Sequence, residues 1–233
     1  MDANFPARHD RSVITPRRFV HLLAAPLLVT ALAACTSSTP AASPTPVSSA
    51  PVASPSGTIS AAEAGEKLMH YRPAGPEGSH LLVSAVLDLD GTVDTIFGSA
   101  APDAKAEVKS QFTQRGFVVA MRHAWTAPDG TQSFTVLMRF SDDAGAEGMA
   151  SRLAEGLKST YPDTVFTDPG DLSTGAVVNI DDHGKALVEL VAPHGDVVVF
   201  MNYLTPAAPD KKTALVRFHS HLTMLPTPGL PWQ

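Results

Sequence analysis

Three short connections constrain this chain more than any other feature. Ala127-Pro128-Asp129-Gly130, Asp182-His183-Gly184 and Pro193-His194-Gly195 each separate two apolar or alternating stretches of strand length. A parallel crossover needs a dozen residues or more, so links this short can only join antiparallel neighbours. Phe117 to Trp125 and Thr131 to Phe140 alternate with period two, and Ala176 to Ile180, Lys185 to Val191 and Asp196 to Tyr203 follow as strands. His80 to Leu87 is a further apolar run of strand length. Val197 to Phe200 is apolar at every position, the pattern of a central strand covered on both faces.

Helical patterns lie between these strands. Ser60 and Glu63 form a capping box that opens a short helix to about His70. Pro102 suits a first helical turn, Ala104, Val108 and Phe112 repeat down one side, and Gly116 ends that segment. Asp142 or Asp143 opens a third helix with Ala146, Met149, Leu153 and Leu157 on one stripe. Its glycines, Gly145, Gly148 and Gly156, mark either a weakened helix or a close packing face. Asp210 caps a last helix bearing Ala214, Leu215, Phe218 and Leu222. The expected fold is therefore α+β: an antiparallel sheet with helices packed mainly on one face.

A signal precedes this domain. Arg17 to Cys35 reads RRFVHLLAAPLLVTALAAC, with two arginines, a short apolar centre and small residues before a cysteine. That order defines a secretory signal peptide, and the apolar run is short for a membrane span. Leu32-Ala33-Ala34-Cys35 resembles the lipobox of bacterial lipoproteins. The resemblance implies that residues 1–34 are removed and Cys35 is acylated, anchoring the protein by lipid to the outer face of the cell membrane. Arg17-Arg18-Phe19-Val20 fits twin-arginine export as well as the general route. Thr36 to Thr58 holds only Ser, Thr, Pro, Ala, Val and Gly, too little apolar surface to offset chain entropy. Residues 35–58 are thus expected to be a disordered tether with a reach on the order of 70 Å. Residues 59–225 form one globular domain, and 226–233 a proline-rich tail.

Charge narrows the partners. The chain carries 17 basic and 23 acidic residues; without Arg8, Arg11, Arg17, Arg18, Asp2 and Asp10 of the leader, the mature net charge falls to −8. Such a balance argues against nucleic-acid binding. Cys35 is the sole cysteine, so it serves attachment rather than a disulfide. No cofactor or metal is expected. His219-Ser220-His221 lies on a helix, where positions two apart diverge, so it reads as a helix end rather than a metal pair.

Two motifs invite a functional reading. Leu87-Asp88-Leu89-Asp90-Gly91-Thr92 resembles the first motif of haloacid-dehalogenase-type phosphatases. That resemblance implies Asp88 as nucleophile and Asp90 as proton carrier beside a magnesium ion, on a parallel sheet. The hairpins oppose that sheet, and Asp-Gly also serves as a plain turn. Trp125-Thr126-Ala127-Pro128-Asp129-Gly130-Thr131, the strand ending Arg139-Phe140 and the Gly/Ala-rich helix after it resemble an uncharacterised family of actinobacterial cell-envelope lipoproteins. Leader, tether and tail agree with that family, which offers no catalytic residues. The expected function is an envelope binding or scaffolding domain without catalysis, the alternative an extracytoplasmic phosphatase. A four-residue turn over Ala127–Gly130 would set Thr126 opposite Thr131. Phe117, Val119, Met121 and His123 would then face helices, and Arg122 and Arg139 would share an open face able to meet an anionic envelope component.

Overall fold

The computed structural model describes residues 60–227, apart from Pro169 and Asp171. The leader, Cys35, the tether and residues 228–233 of the tail lie outside the described residues. Within them the chain runs α1 (Ala61–His70), β1 (His80–Leu87), α2 (Leu89–Ile96), α3 (Pro102–Gln114), β2 (Phe117–Thr126), β3 (Gln132–Phe140), α4 (Asp143–Thr160), β4 (Val165–Thr167), β5 (Thr174–Asn179), β6 (Ala186–His194), β7 (Val197–Thr205) and α5 (Lys211–Leu222). The seven strands form one sheet in the order β1-β2-β3-β7-β6-β5-β4, with every pair antiparallel. The fold is α+β, as the short hairpins require.

The topology follows from two blocks. β1, β2 and β3 build one half. α4 then carries the chain across the sheet to β4, and three successive antiparallel steps return it until β7 pairs with β3. The seam joins two strands whose residues are buried almost throughout. Helix starts obey the expected caps: Ser60 accepts from the Glu63 amide at 3.2 Å, Asp142 from Gly145 at 2.8 Å and Asp210 from Thr213 at 2.7 Å. Gly145 lies where a Cβ would collide with the Arg115 carbonyl, so α4 starts hard against the end of α3.

Helices cover both faces of the sheet, three of the five among the described residues, including the two longest, on one face and two on the other. α2, α3 and α4 bury Val93, Phe112, Met149 and Leu157 against Ala120, Met138 and Phe200. α1 and α5 bury Leu68, Phe218 and Leu222 against Met121, Leu137 and Val199 on the opposite face. Strands β6 and β7 read as continuous apolar runs for this reason. On the α2–α4 face, Phe112, Phe117 and Phe140 meet with ring centroids 5.4, 5.9 and 6.0 Å apart.

The β2–β3 hairpin differs from expectation by one residue. Thr126 pairs with Gln132, and the turn spans five residues, closed by Ala127 N–H donating to Thr131 O at 2.7 Å. Asp129 Oδ1 accepts from the Thr131 amide at 2.8 Å, and Gly130 takes φ 85°. An odd shift exchanges the faces of one strand relative to the other. A bulge at Val118 restores the pair Phe117 with Phe140. Arg122 now opposes Val136 and Arg139 opposes Val119, so the two arginines point to opposite faces. The shared open arginine face is therefore corrected: both faces of the hairpin are roofed, with Ala120 and Met121 each fully buried.

Candidate functional site

Beside α5, on the face it shares with α1, lies a cleft of about 430 Å³. Its floor includes Trp125 of β2 and Tyr203 of β7, which stand in one row of the sheet on either side of the buried Ser133 of β3. One wall is the outer side of α5, with Val216, Arg217 and Ser220, continued by Met224 just past the helix, and the other is the connection after α1, with Pro73, Ala74 and Pro76. Asp129 and Thr131 of the hairpin close one end, and His221 lies deep at its side.

The electrostatics of this region follow from burial. His221 Nδ1 lies 2.9 Å from Met201 Sδ and its Nε2 is 3.1 Å from the Tyr71 carbonyl. Burial holds its pKa below the ordinary imidazole range, so it is neutral at pH 7 and donates to that carbonyl through Nε2. His123, 3.3 Å from Ser84 Oγ, is lowered too, by burial first and by the Arg72 charge second. The Tyr203 phenol is pushed up to about 12 by burial. Asp129 is held below the usual carboxylate range, mainly by its bond from the Thr131 amide. Arg217 is exposed on the rim and reaches both groups only at long range. Trp125 Nε1, Ser133 Oγ and Thr135 Oγ1 are buried without a hydrogen-bond partner among the described residues. A largely apolar cleft with one cation, Arg217, and one carboxylate, Asp129, at its edges can bind and orient a small molecule.

The acidic motif does something else. Asp88 is the N-cap of α2, its Oδ1 accepting from the Gly91 amide at 2.8 Å. Asp90, in the first turn, pairs with Lys109 of α3 at 2.8 Å, and Asp94 pairs with Lys105 at 2.9 Å. Both aspartates of the motif are exposed and start a helix that runs beside α3. The antiparallel sheet departs from the parallel one that the phosphatase resemblance implies. Among the described residues no group of three His, Cys, Asp or Glu side chains is placed to hold a metal. His219 and His221 diverge as expected: one lies 3.7 Å from Asp168, the other is buried over Met201. Arg139 Nε pairs with Asp196 Oδ2 at 2.8 Å. Arg122 is half-buried on the α2–α4 face, away from the cleft.

A second polar cluster escaped the sequence reading. Glu189 is 1 % exposed on β6, on the α2–α4 face, directly opposite Asn202 of β7. Burial pushes its carboxyl up to about 7. Tyr161, the C-cap of α4, lies beside it without a well-formed hydrogen bond, and its phenol is driven above its usual range by burial and by that carboxylate. Only the alternation in Ala186–His194 hinted at Glu189, as a charge inside an apolar run.

No protein-family model matches the chain, and no curated protein matches it. A solved structure, the crystal structure of the extracellular domain of PknH from Mycobacterium tuberculosis, aligns with a TM-score of 0.44 at 10% identity, covering 72% of this chain and 93% of that one. A likeness of that degree transfers neither a ligand nor an activity. Fold and cleft define a two-faced α+β domain with a ligand-sized trough beside its last helix.

Proposed function

We propose that this chain is an exported lipoprotein, anchored through Cys35, whose domain binds a small amphipathic molecule in the α5 cleft and performs no catalysis. The observation that carries the binding reading is the cleft between α5 and the α1–β1 connection, floored by Trp125 and Tyr203. Its size falls within the range of about 300–1,000 Å³ typical of small-molecule sites. Val216, Met224 and the prolines favour an apolar body, and Arg217 favours an anionic head. The anionic partner expected from the sequence is thereby directed to Arg217 rather than to Arg122 and Arg139. The export reading rests on the leader and on Leu32-Ala33-Ala34-Cys35. Two acyl chains, each gaining roughly 0.8 kcal/mol per buried methylene, would hold the domain firmly where one would not.

Binding is tested with an anilinonaphthalene sulfonate probe, which joins an aromatic body to an anion. The full chain should bind it saturably, Ser220→Trp should fill the cleft and abolish binding, and Arg217→Gln should weaken binding in a salt-dependent way. Equal binding by all three proteins overturns the site. Intact-mass measurement of the membrane-bound protein tests the anchor separately: absence of acyl mass on Cys35 overturns it.

A further inference from the structure

β1 is the outer strand of the sheet, and it is built unlike the opposite edge. β4 has three residues, whereas β1 has eight, reading HLLVSAVL. Six of the eight are apolar, yet none is buried: Leu81 is 64 % exposed, Leu82 53 % and Val86 46 %. Edge strands are ordinarily protected by lysines, prolines or short length, because their outward amides and carbonyls will pair with any available strand. β1 carries no lysine, no proline and no carboxylate, and its one irregularity is the bulge at Leu82. Next to it a hollow of about 380 Å³ is lined mainly by apolar residues, among them Ala62, Val86, Leu89 and Val118, together with Asp88 and Thr113.

We infer that β1 pairs antiparallel with β1 of a second copy of this chain, joining two sheets into one. Three observations favour a copy of itself over a foreign strand. The strand has no charge to repel its twin, and antiparallel pairing sets the His80 end of one copy against the Asp88 end of the other, at both ends of the contact. The symmetry is closed, since an isologous edge contact uses up both edges and stops at two. Finally, a two-fold axis perpendicular to the joined sheet keeps α1 of both copies on the same face. The chain enters the domain at Ser60, the N-cap of α1. Both chains therefore enter their domains from one side of the joined sheet, and on the lipoprotein reading proposed above both would be anchored in one membrane. The same membrane raises the local concentration of each copy for the other. The α5 cleft shares that face and begins one strand in from β1, at Trp125, which pairs with Leu81.

The test is sedimentation of the full chain carrying Cys35→Ser, which removes both lipid and thiol, from about 1 to about 100 μM. A monomer–dimer equilibrium is expected. Leu81→Lys with Leu82→Lys, at exposed positions, should weaken it at least about tenfold while leaving the melting temperature of the dilute, monomeric protein unchanged. Hydrogen exchange on the unsubstituted chain provides a readout that does not depend on the variant folding: β1 amides should become more protected as concentration rises. A monomer across the whole range, a dimer indifferent to the two lysines, or β1 amides that exchange alike at every concentration overturns the inference.

Discussion

Glu189→Gln removes the one carboxylate buried to 1 % exposure among the described residues. In the unfolded chain this group titrates near 4.5, whereas in the folded protein burial raises it to about 7. The folded state thus holds its proton more tightly. Stability contributed by the protonated form is complete below the unfolded value and is lost as pH rises through the window between the two. At about 1.36 kcal/mol per pH unit, the loss across that window is about 3 kcal/mol, a large share of a typical domain's stability. The variant keeps shape but cannot ionise. Its extra amide donors face the Asn202 and Tyr161 neighbourhood and cost about 1–3 kcal/mol at low pH. Urea unfolding of both chains at about pH 5 and about pH 8 should therefore show the native protein ahead at the lower pH and its advantage shrinking or reversing at the higher. Parallel pH profiles for the two proteins would refute a carboxyl ionising inside the fold.

Asp88→Asn should change stability by less than about 0.5 kcal/mol, because asparagine caps as well, whereas Asp88→Ala should cost about 0.5–2 kcal/mol by urea unfolding; a larger loss in Asp88→Asn would point to a role beyond the cap. Phe112→Ala removes the hub of three rings and should cost about 3–5 kcal/mol in the same assay, with a loss below about 1 kcal/mol refuting that packing. Arg139→Met leaves Asp196 half-buried beside an apolar chain and should cost about 1–3 kcal/mol, while the double variant Arg139→Met/Asp196→Leu should recover much of it. Equal losses in single and double variants would mean that the pair is not what holds that corner.

Sequence alone determined whatever depends on neighbours along the chain. Hairpins too short for crossovers made the sheet antiparallel, and Ser60, Asp142 and Asp210 started helices because a side-chain oxygen three residues before a free amide is a local matter. Gly116 stopped one helix for an equally local reason, its φ of 73°. α2 was missed because Asp90, Gly91, Thr92 and Thr95 are poor helix formers; only burial of Val93 and Ile96 against the sheet makes the segment helical. β4, three residues long, exists only because β5 lies beside it.

Tertiary structure decided the rest. One extra residue in the Ala127–Thr131 turn reversed the relation of the two strands and parted Arg122 from Arg139, and no pattern in either strand distinguishes the two registers when both faces are apolar. The placement of α1 and α5 opposite α2, α3 and α4 has the same origin. An amphipathic stripe records that a helix has a partner, without recording which side of the sheet the partner is on. Trp125 and Tyr203 are 78 positions apart and became a site only when β7 crossed back to pair with β3. Glu189 and Asn202 met across one strand pair for a reason the sequence holds only as a lone charge in an apolar run. Caps and turns are settled by contacts a few residues long, while clefts and buried charges are set by strand order, which is the sum of every long-range contact at once.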